Sequence, residues 1–132
     1  MQTMINSPAD LNQDKPMFPI SVIADFLNVS QRTLRIYDEQ NILVPGRSPK
    51  NRRLYSLNEL ERGKFIQYLT RDLGINLIGV KVIFSFLESE KVQPSDYRSV
   101  IDSIIQGLNI TPEMQLENRE RLSTRGRKAN NN

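Results

Sequence analysis

The stretch NVSQRTLRIYDEQ, residues 28–40, sets Gln31, Arg32, Thr33 and Arg35 close together with no acid before Asp38. A guanidinium can bind guanine through two parallel hydrogen bonds, and a carboxamide can do the same to adenine. Gln31, Arg32 and Arg35 are therefore candidates for reading base edges, with Thr33 as their polar neighbour. Each good pair of this kind is worth about 1–3 kcal/mol of discrimination. Ser30, just ahead of them, suits a helix cap or a phosphate met at a helix N-terminus. A second cluster follows, in which Arg47, Lys50, Arg52 and Arg53 place four cations in seven residues with no acid among them. Segregated charge of this kind fits a polyanion better than a small substrate.

These side chains need a frame, and the surrounding pattern supplies one. In PISVIADFL, Ser21 can cap a helix that carries Ile23, Ala24 and Leu27 at helical spacing. Asn28-Val29 makes a tight turn, since asparagine tolerates the left-handed conformation. Ser30 then opens a second helix to about Gln40, with Leu34 and Tyr37 turned inward and Gln31, Arg32 and Arg35 outward. Two short helices joined so briefly must cross steeply, as in a helix-turn-helix. Ile42-Leu43-Val44 and Leu54-Tyr55 are short β-prone runs flanking the basic loop. They predict a two-stranded hairpin, a wing with cations at its tip.

Ser56 and Glu59 form a capping box for a third helix that carries Leu57, Leu60, Phe65, Ile66, Leu69 and Leu73 and stops at Gly74. Asn76 caps a fourth helix with Leu77, Val80, Ile83, Phe84 and Leu87 inward. Ser95 opens a fifth, on which Tyr97, Val100, Ile101, Ile104, Ile105 and Leu108 form a widened a/d seam. That seam is too apolar for water and too short to be stable alone, so it folds back or pairs with a second copy. Thr111-Pro112-Glu113 marks one more helix start. The expected organisation is a disordered arm over 1–17, a DNA-binding domain over 18–92 and a dimerisation helix over 93–110. A weak helix and a basic, disordered tail fill 111–132.

Composition narrows the chemistry. The net charge of +3 conceals +3 over residues 19–55, −3 over 93–118 and +4 over 119–132. Cysteine and histidine are both absent. That removes disulfides, thiolate nucleophiles, imidazole bases and Cys/His metal sites, so neither a metal nor a cofactor is expected. The acids are scattered over exposed helical positions, and an enzyme is not expected. No run of about 18 apolar residues is present to span a membrane, and a cytoplasmic location is the default.

The order of helix, turn, "TLRIYDEQ", basic wing ending in "RRLYS", and "TRDLGINLIGVKVIF" resembles the MerR family of bacterial transcription regulators over roughly Phe18 to Leu87. Within it, the heat-shock repressor branch HspR is most similar, and the GlnR and TnrA branch is close. The resemblance implies a mainly α, winged helix-turn-helix fold with a small β-hairpin wing, a second helix pair and a C-terminal dimerisation helix. It also implies a homodimer on an inverted repeat in double-stranded DNA, acting as a repressor. By motif, Ser30, Gln31, Arg32 and Arg35 fall on the recognition helix and Tyr37 on the family's tyrosine before the acid. Arg53 and Tyr55 match the wing's R-x-Y, where the family contacts phosphates, and Arg47 matches the basic residue after the proline.

Three features depart from the family pattern. Asn28 replaces the usual turn glycine, Ile36 replaces the first tyrosine of RYYE, and the Asn51-Arg52 region replaces the wing glycine. A GlnR-like or activating regulator is the alternative within the family, with RNA polymerase or a chaperone as candidate protein partners. Outside it, the alternative is a helical adaptor whose basic face binds an acidic protein. With about two dozen weakly apolar residues after Leu108, a buried effector pocket is not expected.

Overall fold

A computed structural model describes residues 12–114 together with Glu117 and Glu120. The elements run β1 (Phe18–Pro19), α1 (Ile20–Leu27), α2 (Gln31–Glu39), β2 (Gly46–Arg47), β3 (Arg53–Tyr55) and α3 (Leu57–Gln67). A π-helical turn (Tyr68–Asp72), α4 (Leu77–Ser89), a 3-10 turn (Pro94–Asp96) and α5 (Tyr97–Gly107) follow. The chain divides after Gly63 into two compact units, and the boundary falls inside α3. Among the described residues no helix is long and apolar enough to cross a membrane.

In the first unit α1 ends where Asn28 takes φ 55, its amide turned back to Asp25 and Ala24. Val29 N–H donates to the Ala24 carbonyl at 3.0 Å, which closes the turn into α2. Ser30 caps α2, its Oγ accepting from the Thr33 amide at 3.0 Å. Asn41 (φ 57) ends α2, and the Ile42 and Leu43 amides both donate to the Tyr37 carbonyl. That spends the donors a strand would need, so Ile42-Leu43-Val44 is not the first wing strand. Ile42 and Leu43 fill the core instead, and the strand forms later at Gly46–Arg47.

The sheet has three antiparallel strands, in the order β1-β3-β2, rather than two. Phe18 pairs with Tyr55, Pro19 with Leu54, and Arg47 with Arg53. Proline is tolerated in β1 because that strand is an edge. Pro19 also occupies the cap position of α1 in extended conformation with no side-chain cap, so the expected cap, Ser21, lies inside the helix. The capping box opening α3 is present: Ser56 N–H donates to Glu59 Oε1 at 2.8 Å, and Glu59 N–H to Ser56 Oγ at 3.1 Å. Further along α3, a Cβ on Gly63 would come within 2.5 Å of Leu27 Cδ1, so any side chain there would have to push the Leu27 side chain aside.

Residues 12–17, expected to belong to a disordered arm, are held in place. Met17 N–H donates to the Tyr55 carbonyl, Asn58 N–H to the Gln13 carbonyl, and Asn58 Nδ2 to Asp14 Oδ1. The arm before Asn12 and the basic tail after Glu120 lie outside the described residues.

In the second unit Gly74 (φ 70) follows the π-helical turn, and Asn76 Oδ1 caps α4 through the Gly79 amide at 2.9 Å. The buried residues are Phe65, Ile66, Tyr68, Leu69, Val80, Phe84, Leu87, Tyr97 and Ile101. Phe65 anchors an aromatic cluster, with Phe84 at 5.7 Å and Tyr97 at 5.6 Å between ring centroids. The Arg98 guanidinium lies 3.4 Å over the Tyr68 ring, and the Tyr68 hydroxyl donates to Asp102. Burial, helped by that carboxylate, raises the Tyr68 phenol above its ordinary value. Pro94 starts the 3-10 turn, so Ser95 lies within it and does not cap α5. Residues 112–114, 117 and 120 are helical, and Thr111 Oγ1 accepts from the Met114 amide.

Candidate nucleic-acid interface

α2 buries Leu34 and Tyr37 and leaves Ser30, Gln31, Arg32 and Arg35 exposed at its N-terminal end. Arg32 makes no ion pair or hydrogen bond among the described residues, and Arg35 reaches only its helical neighbour, Gln31 Oε1, at 3.4 Å. These side chains are thus available to an outside ligand. Thr33 is half-buried, its hydroxyl 3.0 Å from Ser30 Oγ, so both hydroxyls serve the cap.

The wing tip is a tight turn. Asn51 N–H donates to the Ser48 carbonyl and Ser48 N–H to the Arg52 carbonyl, each at 2.8 Å, while Asn51 adopts φ 63. This left-handed asparagine does the work of the missing wing glycine. Lys50 and Arg52 stand exposed on the turn.

Arg47 and Arg53 face each other across β2 and β3 and converge on Asp38, in the last turn of α2. Arg53 Nε lies 2.8 Å from Asp38 Oδ2, and Arg47 Nη2 lies 3.4 Å from the same oxygen. Asp38 had no part in the sequence-based site. The one available signal was an acid at the C-terminal end of a helix, where the dipole disfavours it.

Two tyrosines of the expected interface lie in the core. Tyr37 is 5% exposed and Tyr55 is fully buried, its hydroxyl out of reach of solvent and without a partner among the described residues. The Tyr55 hydroxyl cannot reach a phosphate from this position, and Tyr37 turns little of its surface outward. Burial pushes the Tyr55 phenol up to about 12.

The expected dimer seam divides. Tyr97 and Ile101 are core residues of their own unit, whereas Ile104 and Leu108 are 44% and 62% exposed. Val100 and Ile105 are half-buried. The exposed pair opens onto an apolar groove of about 750 Å³ that also takes in Val82, Phe86, Leu73 and Ile110. Among the described residues the groove is partly open to solvent. Among the described residues no cluster of acids could hold a metal ion.

The family model for MerR HTH family regulatory proteins matches residues 18–87. The HTH-type transcriptional regulator GlnR of Bacillus anthracis is 36% identical over 75 residues, which is 57% of this chain and 57% of that protein. A protein described as heat shock protein HspR in Streptomyces coelicolor is 38% identical over 77 residues, 58% of this chain and 51% of that one. The HTH-type transcriptional regulator TnrA of Bacillus subtilis is 32% identical over 50 residues, 38% of this chain and 46% of its own. The chain thus spans about half the length of the curated relatives it matches. With an exposed cationic helix end, a basic wing in the same unit and a family match over more than half its length, the chain belongs to the MerR HTH family of regulatory proteins.

Proposed function

We propose that this chain is a sequence-specific DNA-binding transcription regulator of the cytoplasm, a homodimer that represses from an inverted-repeat operator. The observation that carries the reading is the exposed N-terminal end of α2, where Gln31, Arg32 and Arg35 stand clear of the core. A recognition helix presents that end to base edges in the major groove. Lys50 and Arg52, exposed at the wing tip, supply backbone contacts that set register without reading sequence. One such unit offers few contacts, and a second copy doubles them and fixes the half-site spacing. The exposed Ile104 and Leu108, beside an apolar groove, give that copy a surface to cover.

Selection from a random duplex pool, followed by footprinting, tests the proposal. The expected product is an inverted repeat, with Arg32→Ala and Arg35→Ala each relaxing preference at a defined base pair. A site beside chaperone genes supports the HspR-like reading, and one beside nitrogen-assimilation genes the GlnR-like reading. Equal affinity for every duplex would leave the helical adaptor as the better account.

A further inference from the structure

Arg47 and Arg53 are cross-strand partners on β2 and β3, so two like charges stand directly opposite each other. Such a pair is destabilising unless an anion lies between. Asp38 provides it from another element, at a position where its charge opposes the dipole of α2. A carboxylate held against the dipole of its own helix, where it relieves two opposed arginines, has a task in joining the two elements.

The two arginines are not equivalent. Arg53 is 22% exposed and its Nε meets Asp38 Oδ2 at 2.8 Å, while Asp38 itself is 14% exposed. Arg47 is 44% exposed, reaches the same oxygen only at 3.4 Å, and spends Nη1 on the Asn51 carbonyl at 3.4 Å. A phosphate arriving at the wing can take over the loosely held Arg47, because a guanidinium binds phosphate as readily as carboxylate. Arg53 is held short and screened, and stays where it is.

We infer that Asp38 is a positioning residue that locks the wing to the recognition helix through Arg53, leaving Arg47 as the arginine that exchanges its carboxylate for a DNA phosphate. The inference rests on the DNA-binding reading above and assigns Arg53 a task other than the phosphate contact its motif suggested. The lock fixes which phosphates the wing grips while α2 faces a given base pair, and so acts on selectivity rather than on bulk attraction.

The test uses the full chain, its selected duplex and an unrelated duplex, with affinities measured over a range of salt. Asp38→Asn and Arg53→Lys should each narrow the ratio between the two duplexes by about tenfold, the scale of one mismatched base pair. Neither should shallow the salt dependence, whereas Arg47→Ala should reduce its slope by about one. Arg53→Lys keeps the charge but lacks the Nε donor, so wild-type selectivity in that variant overturns the lock. Arg53→Ala reducing the slope as far as Arg47→Ala does also overturns it. Circular dichroism checks folding, and if Asp38→Asn does not fold, Arg53→Lys decides alone. Wild-type protein that fails to distinguish any duplex brings down the DNA-binding reading, and this inference with it.

Discussion

Tyr55 shows how a single side chain can matter for stability while standing in a motif associated with binding. Its hydroxyl is buried without a partner, and a buried, unpaired polar group costs about 1–3 kcal/mol. Tyr55→Phe should therefore leave the protein as stable as before or more so, measured by urea unfolding at neutral pH. The phenol is raised from 10.0 to about 12, so the folded state holds its proton more tightly than the unfolded chain. Its contribution is complete below pH 10 and is lost as pH climbs towards 12, by roughly 2 kcal/mol. Tyr55→Phe should remove that part of the alkaline loss, and an unchanged alkaline profile would contradict the burial. The cations at residues 31–35 were legible because exposure on a short amphipathic helix follows from spacing alone. The burial of Tyr55 was not, because the strand that pairs with it, β1, lies far back in the chain. Asp38 stayed hidden for the same reason, since its partners come from the wing.

Among the elements, most helix ends are built on one device. α1, α2 and α4 each finish with paired hydrogen bonds closing over a left-handed residue, namely Asn28, Asn41 and Lys91. For α4 these are Val92 N–H to the Leu87 carbonyl and Lys91 N–H to the Glu88 carbonyl, both at 3.0 Å. Asparagine enters that conformation at low cost, and lysine does not. Lys91→Gly should raise stability by about 1 kcal/mol in thermal or urea unfolding. No gain there would mean that the lysine side chain makes up the difference. Caps written in adjacent residues, Ser30, Ser56 with Glu59, and Asn76, were readable because capping is local. The first wing strand was misplaced because Ile42-Leu43-Val44 has β-prone composition, yet the end of α2 claims two of its amides. The π-helical turn at Tyr68–Asp72 left no mark in the hydrophobic pattern, which runs through it unbroken.

At the scale of the whole molecule, the apolar face of the second unit offers a way to test folding apart from the proposed assembly. Ile101 is core, and Ile101→Asp should unfold that unit, whereas Ile104→Asp with Leu108→Asp alters side chains that stand in water. The double variant should keep the wild-type circular dichroism spectrum, sediment as a monomer at micromolar concentration and bind the selected duplex far more weakly. A folded double variant that remains dimeric places the contact elsewhere. The a/d spacing was visible in the sequence, but which half of it is spent internally depends on Phe65 and Phe84 meeting Tyr97.

The segment ahead of the family match is clasped by the sheet. Pro16 lies so near Gly46 that a Cβ there would come within 2.9 Å of its ring, and Asp14 and Gln13 are tied to the start of α3. Trimming the protein to begin at Phe18 would strip the Met17 and Asn58 ties to the sheet and α3 and loosen the wing from behind, without removing any cation of α2 or the wing. Such a shortened form should melt earlier and discriminate operators less well, a result that would put the functional boundary of the proposed DNA-binding unit upstream of the homologous one.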